Sequence, residues 1–242
     1  MALRIGFDLD GVLADMEEAI VREAVTLFGS TLPPRASQQA PSASMSDLMP
    51  EDVTDNAPLR HELQLTTRQR RQLWRHIRGI DGFWESLDEI EPGSVQRLAQ
   101  LANNRRWEII FLTRRPATAG PTAQIQSQRW LEKKGFRLPS VYVVTGSRGL
   151  IATALALDIV VDDTPENCVD VASDSKARTI AIFRDQERVP PDVFTRMGIH
   201  LVDSTAKCLD LLVEIDSSLA APQPSRIERV MRSLGLKERT SA

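Results

Sequence analysis

The sequence predicts an α/β fold: a three-layer, doubly wound, mostly parallel sheet with a helical module inserted after its first strand. Short apolar runs, Ile109 to Leu112, Val141 to Val144, Ile159 to Val161 and Thr179 to Phe183, alternate with stretches of helical spacing. That alternation requires right-handed crossovers and a sheet covered on both faces. A first run, Leu3, Ile5 and Phe7, stands far ahead of these and stops at Asp8-Leu9-Asp10-Gly11. Between it and the rest lies a stretch, residues 31 to 58, where Pro33, Pro34, Pro41, Pro50 and Pro58 block any long regular element.

In chain order, Leu3, Ile5 and Phe7 form the first buried strand, and Gly11 gives the backbone freedom for a sharp exit. Met16, Ile20, Ala24 and Leu27 follow helical spacing from Asp15 to Phe28, and Gly29 ends the run. Thr66 or Thr67 caps a helix through Arg78, with Leu73, Trp74 and Ile77 on its apolar face and Arg68, Arg70, Arg71, Arg75 and His76 on a solvated basic one. After the turn at Asp81-Gly82, Phe83 and Trp84 are expected in an apolar seam, ahead of the Glu91-Pro92-Gly93 break. A helix from Ser94 to about Asn103 buries Val95, Leu98 and Leu101 or Ala102, and Asn103-Asn104 marks its end. His200 to Val202 adds a short last strand. Residues 225 to 236 place Ile227, Val230, Met231 and Leu234 at helical spacing, a face for the core or for a homodimer.

At 242 residues, 42% of them apolar, the chain can bury a core and still carry a smaller module. The predicted division is a core of residues 1–14 and 91–242 around a helical module of residues 15–90. The 30 basic and 33 acidic residues give a net charge of -3. That balance supplies no field for a nucleic acid polymer or a membrane surface and favours small molecules as partners. No apolar run approaches the ~20 residues needed to cross a bilayer. Cys168 and Cys208 lack C-x-x-C spacing, and the N-terminus enters a strand without the regions of a signal peptide. A soluble protein of the reducing cytoplasm is expected.

Successive residues of a strand face opposite ways, so Asp8 and Asp10 project together. Two such acids repel unless a cation lies between them, and a hard divalent ion with oxygen ligands, magnesium above all, meets that need. Ligands of open α/β sheets bind beyond the carboxyl ends of the strands. The residues found there form one set: Asp8 and Asp10; Thr113; Thr145, Ser147 and Arg148; Asp162 and Asp163. On a phosphate ester one carboxylate of the first pair can attack phosphorus while the other moves the proton. Acids from another strand complete a metal site, and Thr113 and Arg148 can hold phosphoryl oxygens. Arg114 and Arg115 are either phosphate contacts or solvated loop charges. Lys133 and Lys134, just before Gly135, either bring a cation to the site or complement a helix dipole. Cys168, without a His or Cys partner nearby, is assigned to packing, and His61, His76 and His200 show no mutual ligand spacing.

On these motifs the chain resembles the haloacid dehalogenase superfamily of phosphohydrolases, over residues 3 to 15 and about 80 to 185. The first motif stands as Asp8-Leu9-Asp10-Gly11-Val12, the second as Phe111-Leu112-Thr113 and the fourth as Val160-Val161-Asp162-Asp163. The resemblance implies a Rossmann-like core with the insertion as a cap over the substrate. It implies Asp8 as nucleophile, Asp10 as general acid/base, and magnesium held by Asp8, the Asp10 main-chain carbonyl and Asp162, with Asp163 binding through water or orienting a ligand. Superfamily members without the second aspartate are dehalogenases or other enzymes, so Asp10 implies phosphoryl chemistry.

Gly11-Val12-Leu13-Ala14-Asp15, and Gly82 to Leu87 followed by Pro92-Gly93, are most similar to the 5'(3')-deoxyribonucleotidase branch. That likeness implies a small phosphorylated metabolite, such as a nucleoside monophosphate, bound near Gly11, Met16 and Arg114. Three positions depart from the branch. Met16 stands where it has an aromatic lining the base pocket, and Arg114-Arg115-Pro116 where its second motif continues Ser-Pro. Arg148, or else Lys133 or Lys134, stands for its third-motif lysine; arginine keeps the charge and adds a fork suited to phosphate. The same residues would serve a phosphomutase or another phosphotransferase, or a regulatory protein that binds metal and phosphate without turnover.

Overall fold

The computed structural model describes residues 2–29, 65–184 and 190–220. The proline-rich stretch 31–58 and the helical spacing at 225–236 lie outside them. Six strands, β1 (Arg4–Asp8), β2 (Glu108–Thr113), β3 (Ser140–Val143), β4 (Ile159–Asp162), β5 (Arg178–Ile182) and β6 (His200–Val202), form one sheet in the order β3-β2-β1-β4-β5-β6. Every neighbouring pair is parallel. The chain builds outward from β1 through β2 and β3, then returns to β4 on the other side. Strand order therefore reverses beside β1, which is where such sheets open a crevice for ligands.

Ile5 and Phe7 are fully buried and pair with Ile109 and Phe111 on one side and with Ile159 and Val161 on the other. Each such side chain contributes about 1.5–3 kcal/mol of hydrophobic stabilisation, so the register is fixed by what it buries. The same register brings Asp8 opposite Leu112, one residue before Thr113, and Phe7 opposite Val161, one residue before Asp162. Asp8, Thr113 and Asp162 thus end adjacent strands at one edge.

Helix α1 (Met16–Phe28) starts at Asp15, whose carboxylate accepts the Glu18 N–H at 3.0 Å. Helix α2 (Thr67–Arg78) starts at a capping box between Thr66 and Gln69 and buries Leu73, Trp74 and Ile77; such a cap is worth ~1 kcal/mol. The outgoing and returning chains meet at the base of this insertion. The Asp15 N–H donates to Asp88 O, the Ile90 N–H donates to Leu13 O, and Ala14 pairs with Glu89. Phe83 and Trp84, in a 3-10 turn, are buried edge to face.

Helix α3 (Ser94–Arg105) runs past the predicted stop at Asn103-Asn104. Both asparagines face solvent and fit a helix surface; the chain ends its helix only where Arg106 turns left-handed (φ 58) and Trp107 donates to Ala102 O. The remaining helices are α4 (Ala123–Lys133), α5 (Arg148–Ala154), α6 (Pro165–Asp174), α7 (Asp192–Met197) and α8 (Thr205–Ala220). Helices α7 and α8 have no counterpart among the elements expected from the sequence. Cys168 packs with Ala181, Phe194 and Ile199, and burial pushes its thiol well up. The chain divides into two compact units, residues 1–209 and 210–242; α1 and α2 fall in the first, together with the sheet. Among the described residues no helix is long and apolar enough to cross a membrane.

One polar cluster ties four segments of the first unit together. Arg184, past the end of β5, donates to Gly11 O, to Val12 O at 3.1 Å, to Glu91 at 3.0 Å and to Thr205 Oγ1 at 2.6 Å. The Glu91 carboxylate in turn accepts the Thr205 and Ala206 N–H groups at the start of α8. Burial raises the Glu91 carboxyl, but these two N–H groups and the Arg184 guanidinium outweigh it and hold the group below the ordinary 4.5. A lowered folded-state pKa means fewer protons bound in the folded state, so the stabilisation is complete above about 4.5 and is lost as pH falls through the folded value. Glu91→Gln is therefore expected to lower stability by about 1 kcal/mol at pH 7, a partly exposed pair giving no more, and the deficit should shrink below pH 4.5. Urea midpoints of both proteins from pH 7 down to pH 3.5 measure it; a deficit that stays constant would assign the effect to packing.

Candidate active site

Asp8 ends β1 and is 5% exposed. Its Oδ1 accepts a hydrogen bond from Arg148 Nη2 at 2.5 Å, and Arg148 Nε lies 3.8 Å from Asp162 Oδ2. Arg148 has no exposed surface, and among the described residues its Nε and Nη1 have no hydrogen-bond partner. An unmet guanidinium N–H in a buried site is costly, so the arrangement favours an anion that can accept from it. Lys133 closes α4 and Lys134 is its C-cap, where their charges complement the helix dipole. Of the three candidate cations, Arg148 is the one bonded to Asp8.

Asp162 ends β4 and is buried. Its Oδ1 accepts from the Thr164 N–H at 2.9 Å and from Asn167 Nδ2 at 3.2 Å. Burial raises its pKa, opposed by Arg148, those two donors and Arg114. Asp163 lies against the turn that follows β1: Gly11 has φ +83, and a Cβ there would fall 1.9 Å from Asp163 Oδ2. Glycine is required at Gly11 both for its backbone and for this approach.

Asp10 is turned to a different partner. Arg115 donates to it from Nε at 2.9 and 3.1 Å and from Nη2 at 2.7 Å, and Thr113 Oγ1 donates at 3.1 Å. The Arg115 side chain is wholly buried, its Nη1 donates to Ser127 Oγ at 2.9 Å, and its guanidinium lies 5.1 Å from the Trp84 ring and 5.8 Å from the Trp130 ring. Trp84 Nε1 donates to Pro116 O and Trp130 Nε1 to Leu87 O. Two indoles and a serine thus hold Arg115 in the one pose that grips Asp10. Desolvating both charges offsets most of their attraction, so the pair fixes geometry more than it adds stability.

Of the two arginines after Thr113, Arg115 is therefore the one built into the site. Arg114 is half-buried and donates to Gly146 O at 3.3 Å. The signal for Arg115 was its spacing: residues two apart in extended chain face the same way, and Thr113 already faced the acids. Met16, the first residue of α1, is buried at 6% exposure.

Among the described residues no three carboxylate, histidine or cysteine side chains gather into a cation cage. Asp8 and Asp162 form a pair on adjacent strands, both facing Arg148, while the Asp10 carboxylate is engaged by Arg115. Among the described residues Asp8 and Asp162 share the Arg148 guanidinium, Asp10 is paired with Arg115, and Asp163 lies against Gly11. Two carboxylates with main-chain oxygen and water suit magnesium, which keeps several waters and seldom uses an all-protein cage. The donor set fits that ion.

A family model described as 5' nucleotidase, deoxy (pyrimidine), cytosolic type C protein matches residues 2–189. No curated protein matches the chain. Among solved structures, a protein described as a beta-phosphoglucomutase from Thermotoga maritima aligns with 16% identity over 88% of this chain and 99% of its own, at a TM-score of 0.54. A hydrolase from Pseudomonas syringae aligns with 16% identity over 89% and 99%, at 0.51. A haloacid dehalogenase family hydrolase from Deinococcus radiodurans R1, with bound phosphate and sodium, aligns with 13% identity over 88% and 96%, also at 0.51. At such identities these structures show a shared fold.

Proposed function

The chain belongs to the 5' nucleotidase, deoxy (pyrimidine), cytosolic type C family and is a phosphatase of the haloacid dehalogenase type; on that premise we propose that it hydrolyses phosphomonoesters with magnesium through an aspartyl phosphate on Asp8. Nucleoside 5'-monophosphates are the first substrates to try. The observation that carries this proposal is Arg148, a fully buried cation bonded to Asp8 with N–H groups left for a phosphoryl oxygen.

In the proposed reaction Asp8 attacks phosphorus, forming a P–O bond as the ester P–O bond breaks. Arg148 keeps Asp8 aimed and donates to the phosphoryl oxygens, stabilising the negative charge that develops on them. Asp10, positioned by Arg115 and Thr113, enters the first step protonated, gives that proton to the leaving alkoxide, and takes another from the water that cleaves the aspartyl phosphate, which restores it for the next turnover. Arg114 and the Gly11 turn are the proposed contacts at the mouth of the site. Met16 lies at the foot of the insertion, whose residues 15–90 are the proposed cap. Asp8, the Asp10 main-chain oxygen and Asp162 would hold magnesium, with Asp163 acting through water. Bound there, the ion offsets repulsion between an anionic nucleophile and an anionic substrate. Cys168 and Cys208 are free and buried, which suits the proposed cytoplasmic location.

A panel of phosphomonoesters, nucleoside 5'-monophosphates included, tests the proposal in two ways. Release of inorganic phosphate should require added magnesium and stop with a chelator, since carboxylates brought together at one sheet edge call for a hard cation with oxygen ligands. Full activity in chelator would overturn the metal requirement. Phosphate appearing on a second hydroxyl instead of in solution would make the protein a phosphotransferase.

A further inference from the structure

Arg148 reaches Asp8 from α5, a helix of 7 residues. So short a helix has little stability of its own, yet the side chain it carries must hold one position in a buried site. The support comes from one carboxylate on the neighbouring helix. Asp170, in α6, accepts Ser147 Oγ at 2.9 Å and the Gly149 N–H at 3.1 Å. These are the two residues that flank Arg148 in the chain. Ser147 also caps α5 by accepting the Leu150 N–H at 3.1 Å, so the same hydroxyl links the helix start to Asp170.

The approach is close along the whole of α5. A Cβ on Gly149 would meet Asp170 O at 2.4 Å and Asp174 Cβ at 2.7 Å, while Thr153 Oγ1 donates to Asp174 O at 2.9 Å. Helix α6 itself starts at Pro165, one residue past the Asp162-Asp163 pair, with Thr164 as its N-cap. One helix therefore follows the second acidic pair and fixes the mount of the arginine that faces it.

Resting on the phosphatase proposal above, we propose that Asp170 is a positioning residue for Arg148. It pins Ser147 and Gly149 so that the guanidinium falls between Asp8 and Asp162. Asp170 has no role with substrate, and its effect passes through Arg148 alone.

A double-mutant cycle with an activity-independent readout tests this. Asp170→Ala is expected to lower kcat on a turned-over phosphomonoester about tenfold or more with little change in KM, misplacement of a reacting group being costly at small distances. In an Arg148→Ala background it should change kcat less than about twofold, since the residue it acts through is gone. Asp170→Asn, which keeps an acceptor oxygen for Ser147 or Gly149, should recover part of the loss. By NMR, the Arg148 Nε–Hε resonance, identified by its absence in Arg148→Ala, should move in Asp170→Ala and return toward its place in Asp170→Asn. Equal losses of kcat in both backgrounds would overturn the proposal in favour of general destabilisation, and so would an unmoved resonance. Should the wild type turn over no phosphomonoester, the phosphatase proposal fails, and the resonance still decides the positional claim. If Asp170→Ala does not fold, Asp170→Asn carries the same comparison, with a smaller loss and a smaller displacement expected.

Discussion

Asp8→Asn is expected to fold and to turn over substrate at less than about a hundredth of the wild-type rate, because an amide can accept the Arg148 hydrogen bond but cannot attack phosphorus. The bond in question is the 2.5 Å contact from Arg148 Nη2 to Asp8 Oδ1. With the charge of Asp8 gone, the carboxylate left to Arg148 among the described residues is Asp162, at 3.8 Å, so the buried guanidinium is less well compensated. A modest fall in the thermal midpoint should accompany the loss of rate, with circular dichroism unchanged. Beryllium fluoride, which mimics an aspartyl phosphate, should bind the wild type and not the variant. Initial rates with magnesium measure the main claim, and a variant that keeps more than a few hundredths of the activity would rule out a covalent role for Asp8.

Arg148→Ala should lower the rate by a factor on the order of 100 or more, the usual cost of removing a contact to charge that develops in the transition state. The variant also leaves Asp8 and Asp162 buried without the cation between them. Burial already raises Asp162 against the pull of Arg148, so removing that pull should raise it further. Arg148→Lys should restore much of the rate, because it returns the charge; the fork that reaches Asp8 and Asp162 together is lost, so recovery stays incomplete. Lys133→Ala and Lys134→Ala, at the far end of α4, should stay within about twofold of wild type. A dead lysine variant beside an active Arg148→Ala would place the required cation on α4. The series separates charge from geometry, which Arg148→Ala alone does not.

Much of the sheet edge could be read from residue order. Asp8, Thr113 and Asp162 each follow an apolar run, and parallel strands of one sheet must end together, so their meeting follows from topology once the runs are strands. Gly11 could likewise be assigned to a turn, although its second reason, the Asp163 carboxylate 1.9 Å from where a Cβ would lie, is a contact between segments 152 residues apart in numbering. Helix α3 runs to Arg105, past the expected end at about Asn103, because Asn is common at helix ends and equally at home on a solvated helix face. Helix α8 carries its own apolar residues but no strong boundary signal, and its start is set by Glu91 reaching across the fold to the Thr205 and Ala206 N–H groups.

Which charges matter was a different kind of question. Arg114 and Arg115 are adjacent and chemically identical, and the sequence assigns the third-motif cation to Arg148 with Lys133 or Lys134 as the alternative. By itself the sequence determined the α/β class, the order of its strands along the chain, and which acids would stand at the strand ends, because hydrophobic periodicity and parallel topology are local properties repeated along it. Only the tertiary structure decided that Arg115 is sealed between Trp84 and Trp130 on Asp10, and that Arg148 is buried against Asp8. A cation's partner is set by side chains that converge from distant segments, and the cost of burying a charge unpaired selects among them only once the core has closed.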